Sequence, residues 1–386
     1  NDQRAALRTV SLESSVLLPN EVSAMHRALA LAERAIGLSD PNPRVGCCLL
    51  DSHGEVIGEG FTQQAGGPHA EVMALRDAQA RGASIKGSTA VVTLEPCSHH
   101  GRTGPCCDAL IAAGIRKVVA SLADPNPLVA GQGFARLRAA GVEVEVGPGA
   151  AESRELNLGF FSRMVRGTPW VRMKLAASLD GKTALDNGAS QWITAPAARA
   201  DGHAWRARAC AVLTGIGTVR DDDPLLDVRL VETARQPHLV IVDSRLETPP
   251  GARLFGPRRR VLVYAALDDP ARRAELEARG ATVIVLPDAT HARVDLPALL
   301  RDLARREINE LHVEAGHRLN GALVGAGLVD EFVAYLAPKL IGRGHGMADF
   351  GPLGDLAQAV ALEFRSTQMI GPDLRLLARV AGRDRF

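Results

Sequence analysis

Three residues of types that bind zinc lie in the first third of the chain. His69 opens a His-Ala-Glu run, Cys97 ends a Leu-Glu-Pro-Cys run, and Cys106 ends a Gly-Pro-Cys turn. One imidazole and two thiolates leave the fourth position of a tetrahedral zinc ion open for water, as in a catalytic site. Zinc lowers the pKa of such a water far enough to supply hydroxide near neutral pH. The three residues predict one catalytic zinc ion per chain.

Glu71 is predicted to move protons and not to bind the metal. Residues at i and i+2 do not share a helix face, so His69 and Glu71 can approach one point only near a helix start. The turn Gly-Gly-Pro directly before His69 favours such a start. A carboxylate there can take a proton from water and pass it to departing ammonia, as in the H-x-E zinc deaminases. The pattern therefore predicts hydrolytic deamination of an amidine carbon.

Two neighbours compete for the ligand positions. Cys107 is the alternative to Cys106, and His100 is the alternative to His69. We favour Cys106 because it completes the turn, whereas Cys107 begins a predicted apolar helix. A closed site with four protein ligands would instead indicate a structural zinc module attached to a ligand-binding domain.

Composition limits the classes of function. A chain of 386 residues is too long for one ordinary core and predicts two domains. Forty-five basic residues are interspersed with 44 acidic ones, for a net charge of +1, which argues against nucleic acid as a partner. No run of about 18 apolar residues exists and the polar start lacks a signal-peptide core, so we expect no membrane role.

Cysteine usage indicates a reducing compartment. Six cysteines in a chain of this length do not suggest a disulfide scaffold, and two are assigned to zinc as thiolates. Cys47 and Cys48 lie in an apolar strand, where a thiol is most often a small core residue. We therefore expect a cytoplasmic protein.

The first half alternates helix and strand. Asn20 is predicted to cap a helix that ends at Gly37. Strands are predicted over 45–50, 55–58, 90–94, 117–122 and 142–146, with helices over 69–80 and from about 107 and 131. Such alternation predicts a three-layer α/β sandwich.

The second half is a further βα series. A connecting helix over 151–166 leads to predicted strands over 170–176, 211–214, 239–243, 260–264, 282–286, 310–314 and 331–336. No G-x-G-x-x-G follows the first strand, which argues against a standard dinucleotide-binding fold. Glycine and hydroxyl residues at strand-to-helix turns make a phosphorylated ligand plausible, although ordinary turns explain them equally well.

Several motifs together carry a resemblance to a known family. They are PNPRVG at 41–46, AGGPHAE at 65–71, LEPCSH at 94–99, DPNP at 124–127, KLAASLDG at 174–181, SQWIT at 190–194 and the segment 217–229. From residue 21 to the C-terminus the chain closely resembles the bifunctional riboflavin-biosynthesis deaminase/reductases. The eight-residue gap between Cys97 and Cys106 is that family's own spacing.

The resemblance implies the fold and its division. A cytidine-deaminase-like three-layer α/β/α domain over 21–147 would be joined by a connecting helix and turn, 148–168, to a dihydrofolate-reductase-like α/β domain over 169–386. Residues 1–20 would form an N-terminal tail.

The resemblance also implies two consecutive reactions. The zinc domain would deaminate 2,5-diamino-6-ribosylamino-4(3H)-pyrimidinone 5′-phosphate to the uracil compound, and the second domain would use NADPH to reduce its ribosyl chain to a ribityl chain. The substrate is thus a small phosphorylated pyrimidine. We also expect a homo-oligomer. A nucleic-acid or nucleoside deaminase with an accessory ligand-binding domain is the alternative, disfavoured by the neutral charge, the long cysteine gap and the second half.

The family's site residues transfer to matching positions. The deaminase substrate would contact Asn42, His99, Arg102, Asp124 and Asn126. NADPH would contact Ala176, Trp192, Thr218, Asp222, Ser244 and Gly316. The reductase substrate would contact Lys174, Ser190, Arg206, Leu226, Arg229 and Glu314. Because guanidinium groups pair well with phosphate oxygens, we expect Arg206 and Arg229 to clamp the phosphate, with Lys174 near the reacting sugar.

Two positions depart from the family pattern. Thr62 stands where a histidine is common, which puts a substrate contact in doubt. Cys210 stands where an aspartate is common, and we expect it to occupy a core position at modest cost.

Overall fold

A computed structural model describes residues 18–99 and 104–386 of the chain. The first half is built on a five-stranded sheet of β1 (Gly46–Leu50), β2 (Val56–Phe61), β3 (Thr89–Val92), β4 (Lys117–Ala120) and β5 (Glu143–Val146), in the order β2-β1-β3-β4-β5. Strand β1 is antiparallel to both neighbours, whereas β3, β4 and β5 are parallel. Its helices are α1 (Pro19–Glu33), α2 (Ala70–Ala80), α3 (Cys106–Ala112) and α4 (Gln132–Ala139).

Strand β1 shows that helices cover both faces of this sheet. Cys47 and Leu49 pack in a core with α2, α3 and α4, whereas Cys48 and Leu50 pack against α1. Successive side chains of a strand point to opposite faces, so a fully buried strand requires a layer on each side. The predicted three-layer architecture is confirmed, and both cysteines are core residues as predicted.

The first helix differs from its prediction at both ends. It begins at Pro19, with Leu18 and not Asn20 at the N-cap, and ends at Glu33 and not at Gly37. Proline is favoured at the first helical position because its φ is already helical and an N–H there would have no partner within the helix. Residues 1–17 of the predicted tail lie outside the described part of the chain.

Two short helices connect the halves where one was predicted. They are α5 (Ala150–Leu156) and α6 (Leu158–Arg166), separated by Asn157. The buried Asn157 amide accepts from Arg44 N at 2.7 Å and donates to Arg44 O at 3.0 Å. Asn157 Nδ2 also donates to Ser153 O, four residues earlier, at 3.0 Å, and such a local side-chain bond competes with the backbone bonds of a continuous helix. The connection is packed and is not a free tether.

The second half contains a nine-stranded sheet in the order β11-β10-β9-β8-β12-β6-β13-β16-β15. Its strands are β6 (Trp170–Ser178), β8 (Ala211–Gly215), β9 (His238–Val242), β10 (Val261–Ala265), β11 (Ala281–Val285), β12 (Glu310–Val313), β13 (Glu331–Ala337), β15 (Leu362–Ile370) and β16 (Asp373–Val380); β7 (Lys182–Leu185) and β14 (Gly344–Gly346) form a separate ribbon. The seven strands from β11 to β13 are mutually parallel, and β16 and β15 add antiparallel pairs.

Helices cover both faces of the larger sheet. They are α7 (Pro196–Arg208), α8 (Ile216–Asp222), α9 (Pro270–Ala278), α10 (Leu296–Arg305) and α11 (His317–Gly325). The predicted α/β class of this half is confirmed, but β7, β14, β15 and β16 were not predicted. Within the described ranges, no helix combines the length and the apolar character needed to cross a bilayer.

Candidate active sites

His69, Cys97 and Cys106 converge on one point. The Nδ1 atom of His69 lies 3.3 Å from Cys106 Sγ and 3.6 Å from Cys97 Sγ. The three ligand atoms lie within 4.8 Å of one another. His69 directly precedes α2, Cys106 is the first residue of α3, and Cys97 lies in the segment after β3. The starts of two helices and the segment after one strand thus bring the three ligand residues together.

The two thiols compete for one proton. A hydrogen bond with Cys106 lowers the pKa of Cys97 well below its usual range, and the same contact raises the pKa of Cys106. If a divalent cation replaced this proton, both sulfurs would bind the cation as thiolates. Metal binding to cysteine residues therefore releases protons. One imidazole nitrogen and two sulfurs form a donor set that fits zinc.

Glu71 lies in the first turn of α2, beside this cluster. It is only 4% exposed. Burial raises its pKa to about 7, and the negative charge of Cys97 acts in the same direction. A carboxyl group in this environment can both accept and release a proton near neutral pH.

The neighbouring thiol points elsewhere. Cys107 Sγ donates to the carbonyl oxygens of Pro96, at 3.2 Å, and Gly133, at 3.5 Å. Its side chain is therefore directed away from His69, and the geometry favours Cys106 as the ligand. His100, the alternative to His69, lies outside the described residues.

Glu95 organises the loop that carries two predicted pocket residues. Its buried carboxylate accepts from the backbone N–H groups of Asp124, Gly131 and Gly133 at 2.8, 2.9 and 2.8 Å. Asp124 Oδ1 in turn accepts from Asn126 N at 2.8 Å. Sequence reasoning assigned Glu95 no role, although a carboxylate two residues before a metal ligand was a usable signal.

Asn42 and His99 lie in segments next to the same sheet edge. Burial raises the pKa of Asp124, and the charge of His99 partly opposes that shift. Asn42 lies in the turn before β1, and the start of β1 adjoins the end of β3, where Thr93 N donates to Gly46 O at 3.1 Å. Arg102 lies outside the described residues.

Thr62 and Cys210, the two residues that depart from the family pattern, are both buried. The buried Thr62 hydroxyl contacts the Val45 carbonyl at 3.5 Å, so it bonds within the sheet. Cys210 is 4% exposed and belongs to the core of the larger sheet, as predicted.

Three of the predicted reductase residues form one ionic cluster. Glu314, just after β12, is held by paired hydrogen bonds from Arg206 of α7, and Lys174 Nζ of β6 lies 3.7 Å from its carboxylate. Burial would raise the pKa of Glu314, but Arg206 and Lys174 hold it well below its usual range. The cluster is a fixed negative centre flanked by two cations.

The loop after α8 brings two more candidates to this cluster. Arg206 Nη1 donates to Asp227 O at 2.9 Å, and Arg229 N donates to His203 Nδ1 at 3.1 Å. Leu226 is buried in the same loop, whereas the Arg229 guanidinium is half exposed and pairs with Asp227. Among the described residues, no polar contact joins Ser190 to this group.

The cofactor candidates gather at the carboxyl edge of the parallel strands. Thr218 lies in α8 after β8, Gly316 lies after β12, and a Cβ placed on Gly316 would be 4.0 Å from Thr218 Oγ1. Ser244 follows β9 and Ala176 lies near the end of β6. Ligands of open parallel sheets bind at this edge. No side chain caps α11, so its first N–H groups suit a phosphate.

Two cofactor candidates are less closely tied to that edge. Trp192 is 61% exposed and stacks on the guanidinium of Arg199 at 4.4 Å. Asp222 ends α8, and burial raises its pKa.

Comparison with known proteins connects both sites to one family. Residues 19–122 match the model of the cytidine and deoxycytidylate deaminase zinc-binding region, and residues 169–376 match the RibD C-terminal domain. The riboflavin biosynthesis protein RibD of Escherichia coli strain K12 is 46% identical over 365 residues, which cover 91% of this chain and 97% of that protein. The chain belongs to the RibD family.

Solved structures agree with this membership. A RibD from Acinetobacter baumannii has a TM-score of 0.84 at 39% identity and covers 93% of this chain and 98% of its own. A Thermotoga maritima diaminohydroxyphosphoribosylaminopyrimidine deaminase/5-amino-6-(5-phosphoribosylamino)uracil reductase has a TM-score of 0.83 at 33% identity and covers 94% and 99%. As a RibD, the chain is a bifunctional deaminase and reductase of riboflavin biosynthesis, and the predicted family is confirmed.

Proposed function

We propose that the first half deaminates the diaminopyrimidine ribosylamine 5′-phosphate and that the second half reduces the ribosyl chain of the product with NADPH. The observation that carries this proposal is the His69, Cys97 and Cys106 cluster with Glu71 beside it, in a RibD chain whose second half holds a separate ionic site. We keep the division into 21–147, 148–168 and 169–386 as part of the proposal. The RibD C-terminal model starts at residue 169, which supports the last limit, whereas the deaminase model spans 19–122 and leaves the other limits open.

In the deaminase half, His69, Cys97 and Cys106 would hold zinc, which when bound supplies an activated water near neutral pH. Glu71 would take a proton from the attacking water and pass one to the amino group, which leaves as ammonia. The second water proton ends on the adjacent ring nitrogen, and the ring carbon keeps the oxygen as a carbonyl. The buried place of Glu71 in the first turn of α2, beside the three ligand residues, suits both transfers. Asn42, His99, Arg102, Asp124 and Asn126 would bind and orient the pyrimidine.

In the reductase half, Ala176, Trp192, Thr218, Asp222, Ser244 and Gly316 would hold NADPH, which supplies a hydride when bound. Lys174 holds the proton that the sugar oxygen needs as the ribose ring opens. Arg206 and Arg229 bind the substrate phosphate, and Glu314 fixes Arg206 and Lys174 in place. Ser190 and Leu226 complete the substrate contacts.

We further infer a homo-oligomer in the cytoplasm. Strand β15 is an edge strand, and Leu362, Phe364 and Met369 expose 44%, 72% and 60% of their surface. An exposed apolar edge strand favours pairing with another chain, and a second copy offers an identical edge. In sedimentation velocity, the Phe364→Glu variant should contain a larger fraction of monomer than the wild-type protein. An unchanged distribution would remove β15 from the interface.

Removal of metal tests the proposed division of labour. After dialysis against a zinc chelator, deamination should be lost and return on zinc addition. Reduction of the deaminated compound by NADPH should continue throughout. Loss of both activities would contradict two separate sites.

A further inference from the structure

The segment that contains Asn42 is held by side chains of the other half of the molecule. Asn309, directly before β12, donates from Nδ2 to Pro41 O at 3.0 Å and lies 3.3 Å from Asp40 Oδ1. Arg235, before β9, donates to Asp40 Oδ2 at 2.8 Å. Both donors belong to the reductase half, and Arg163 of the connecting helix α6 also donates to Pro41 O at 3.0 Å. The turn before β1 is therefore fixed from outside the deaminase half.

A buried cluster of charged side chains also joins the two halves next to this turn. Arg44 Nη1 donates to Glu310 Oε1 at 2.7 Å, and Glu310 also receives Arg172 and Arg208 at 3.0 Å each. The side chains of Arg44 and Glu310 are 4% and 1% exposed. Such a buried, fully paired carboxylate is costly to disrupt, so the junction is rigid.

The clamped segment leads into the deaminase site. Asn42 lies between the two contacts, two residues after Asp40 and two before Arg44. The strand that follows begins at the sheet edge where Cys97 and His69 gather, because the start of β1 adjoins the ends of β2 and β3. A displacement of Pro41 would therefore move Asn42 relative to the metal cluster.

We propose that Asn309, a residue of the reductase half, is a positioning residue for the deaminase reaction. Acting through the Pro41 carbonyl, it fixes Asn42 at the distance from the zinc ligands that the pyrimidine requires. Full deaminase activity therefore depends on side chains that the reductase half contributes. The inference rests on the proposed function, and in particular on the place of Asn42 in the deaminase pocket.

Asn309→Asp tests this role with little change in shape. The new carboxylate oxygen faces Pro41 O and the Asp40 carboxylate, while the contact of Oδ1 with Arg163 Nε at 2.6 Å is kept. Asn320→Asp is the matched control: Asn309 and Asn320 are 3% and 2% exposed, and Asn320 donates within the reductase half to Ala315 O and Met347 O. Each full-length variant is assayed at about pH 8, where aspartate is ionised.

We expect Asn309→Asp to lose about tenfold or more in deaminase kcat/KM, because small misplacements of binding groups cost that much. Its zinc content and its NADPH-dependent reduction of the deaminated compound should stay near wild type. Asn320→Asp should keep wild-type deamination. Arg235→Met removes the contact with Asp40 and should also lower deaminase kcat/KM. This variant replaces Asn309→Asp in the test if Asn309→Asp does not fold.

Wild-type deaminase kcat/KM in Asn309→Asp, or in Arg235→Met when that variant is needed, would overturn the inference. Equal losses in Asn309→Asp and Asn320→Asp would also overturn it, because they would indicate general destabilisation. Failure of the proposed function is distinguishable, since the wild-type enzyme would then form no deaminated product.

Discussion

The Arg206 guanidinium lies against the Glu314 carboxylate in a paired geometry, with Nη2 2.9 Å from Oε2. Arg206 shares this carboxylate with Lys174, so one negative charge faces two positive ones, and Glu314 is itself a predicted substrate residue. Arg229 differs, because its guanidinium is 49% exposed and pairs with Asp227. The two arginines, treated as equivalent on sequence grounds, occupy different environments.

Replacing either arginine by lysine should raise the KM for the phosphorylated intermediate. The effect should be larger for Arg206→Lys, because lysine cannot reproduce the paired contact that also holds Glu314. The KM for NADPH should change little in both variants. Steady-state kinetics with each substrate varied separately decide this. A raised NADPH KM with an unchanged substrate KM would place these arginines in the cofactor site.

Glu71→Gln should abolish deamination and retain zinc. The amide cannot carry a proton, and general acid–base groups contribute about 10² to 10⁴-fold. The same variant should still reduce the deaminated compound with NADPH, because the Glu314 cluster lies in the other sheet. Near-normal deamination by this variant would end the assignment of Glu71.

Cys106→Ser should weaken or remove zinc, whereas Cys107→Ser should not. The Cys107 thiol lies within hydrogen-bond distance of two carbonyl oxygens, and a serine hydroxyl can donate its proton to the nearer one, so this variant is a matched control. Metal analysis of the two purified proteins provides the measurement. The reverse pattern would move the ligand by one residue.

Glu310→Gln should destabilise the fold by about 3 kcal/mol or more, because it leaves buried arginines without their shared carboxylate. Burial alone would raise the pKa of Glu310, but Arg208, Arg44 and Arg172 hold it well below its usual range. The stabilisation is therefore present above the ordinary glutamate pKa and is lost as pH falls through the lower folded value. Urea unfolding at neutral pH measures the difference. Glu277→Gln, in an exposed pair with Arg273 on α9, is the control and should cost less than about 1 kcal/mol.

The metal site was predictable because its information is local. Cys97, Cys106 and His69 each follow a strand or turn that the sequence marks clearly, and the structure brings all three together. Core strands such as β1 were predictable for a similar reason, since uninterrupted apolar runs indicate burial on both faces.

Strand β15 was not predictable from its residues. Leu362–Ile370 mixes charged, polar and apolar side chains without regular alternation, and its pairing with β16 includes a register shift between Phe364 and Ser366. Edge strands need not bury a face, so hydrophobic periodicity does not reveal them.

Ion pairs between residues far apart in the chain also could not be predicted from the sequence. Arg44 and Glu310 are separated by 266 residues, and nothing local to either predicts the other. The pairing of Arg206 with Glu314 spans 108 residues in the same way. Such long-range ion pairs depend on the order and pairing of the strands, whereas the sequence predicted only the fold class.

One measurement tests the central claim most directly. The purified protein is incubated with the diaminopyrimidine ribosylamine 5′-phosphate, with and without NADPH, and the products are identified by mass. Without NADPH we expect only the deaminated compound, in which an oxygen replaces an amino group. With NADPH we expect the same compound carrying two additional hydrogens. Unchanged substrate in both incubations, or reduction without deamination, would contradict the account.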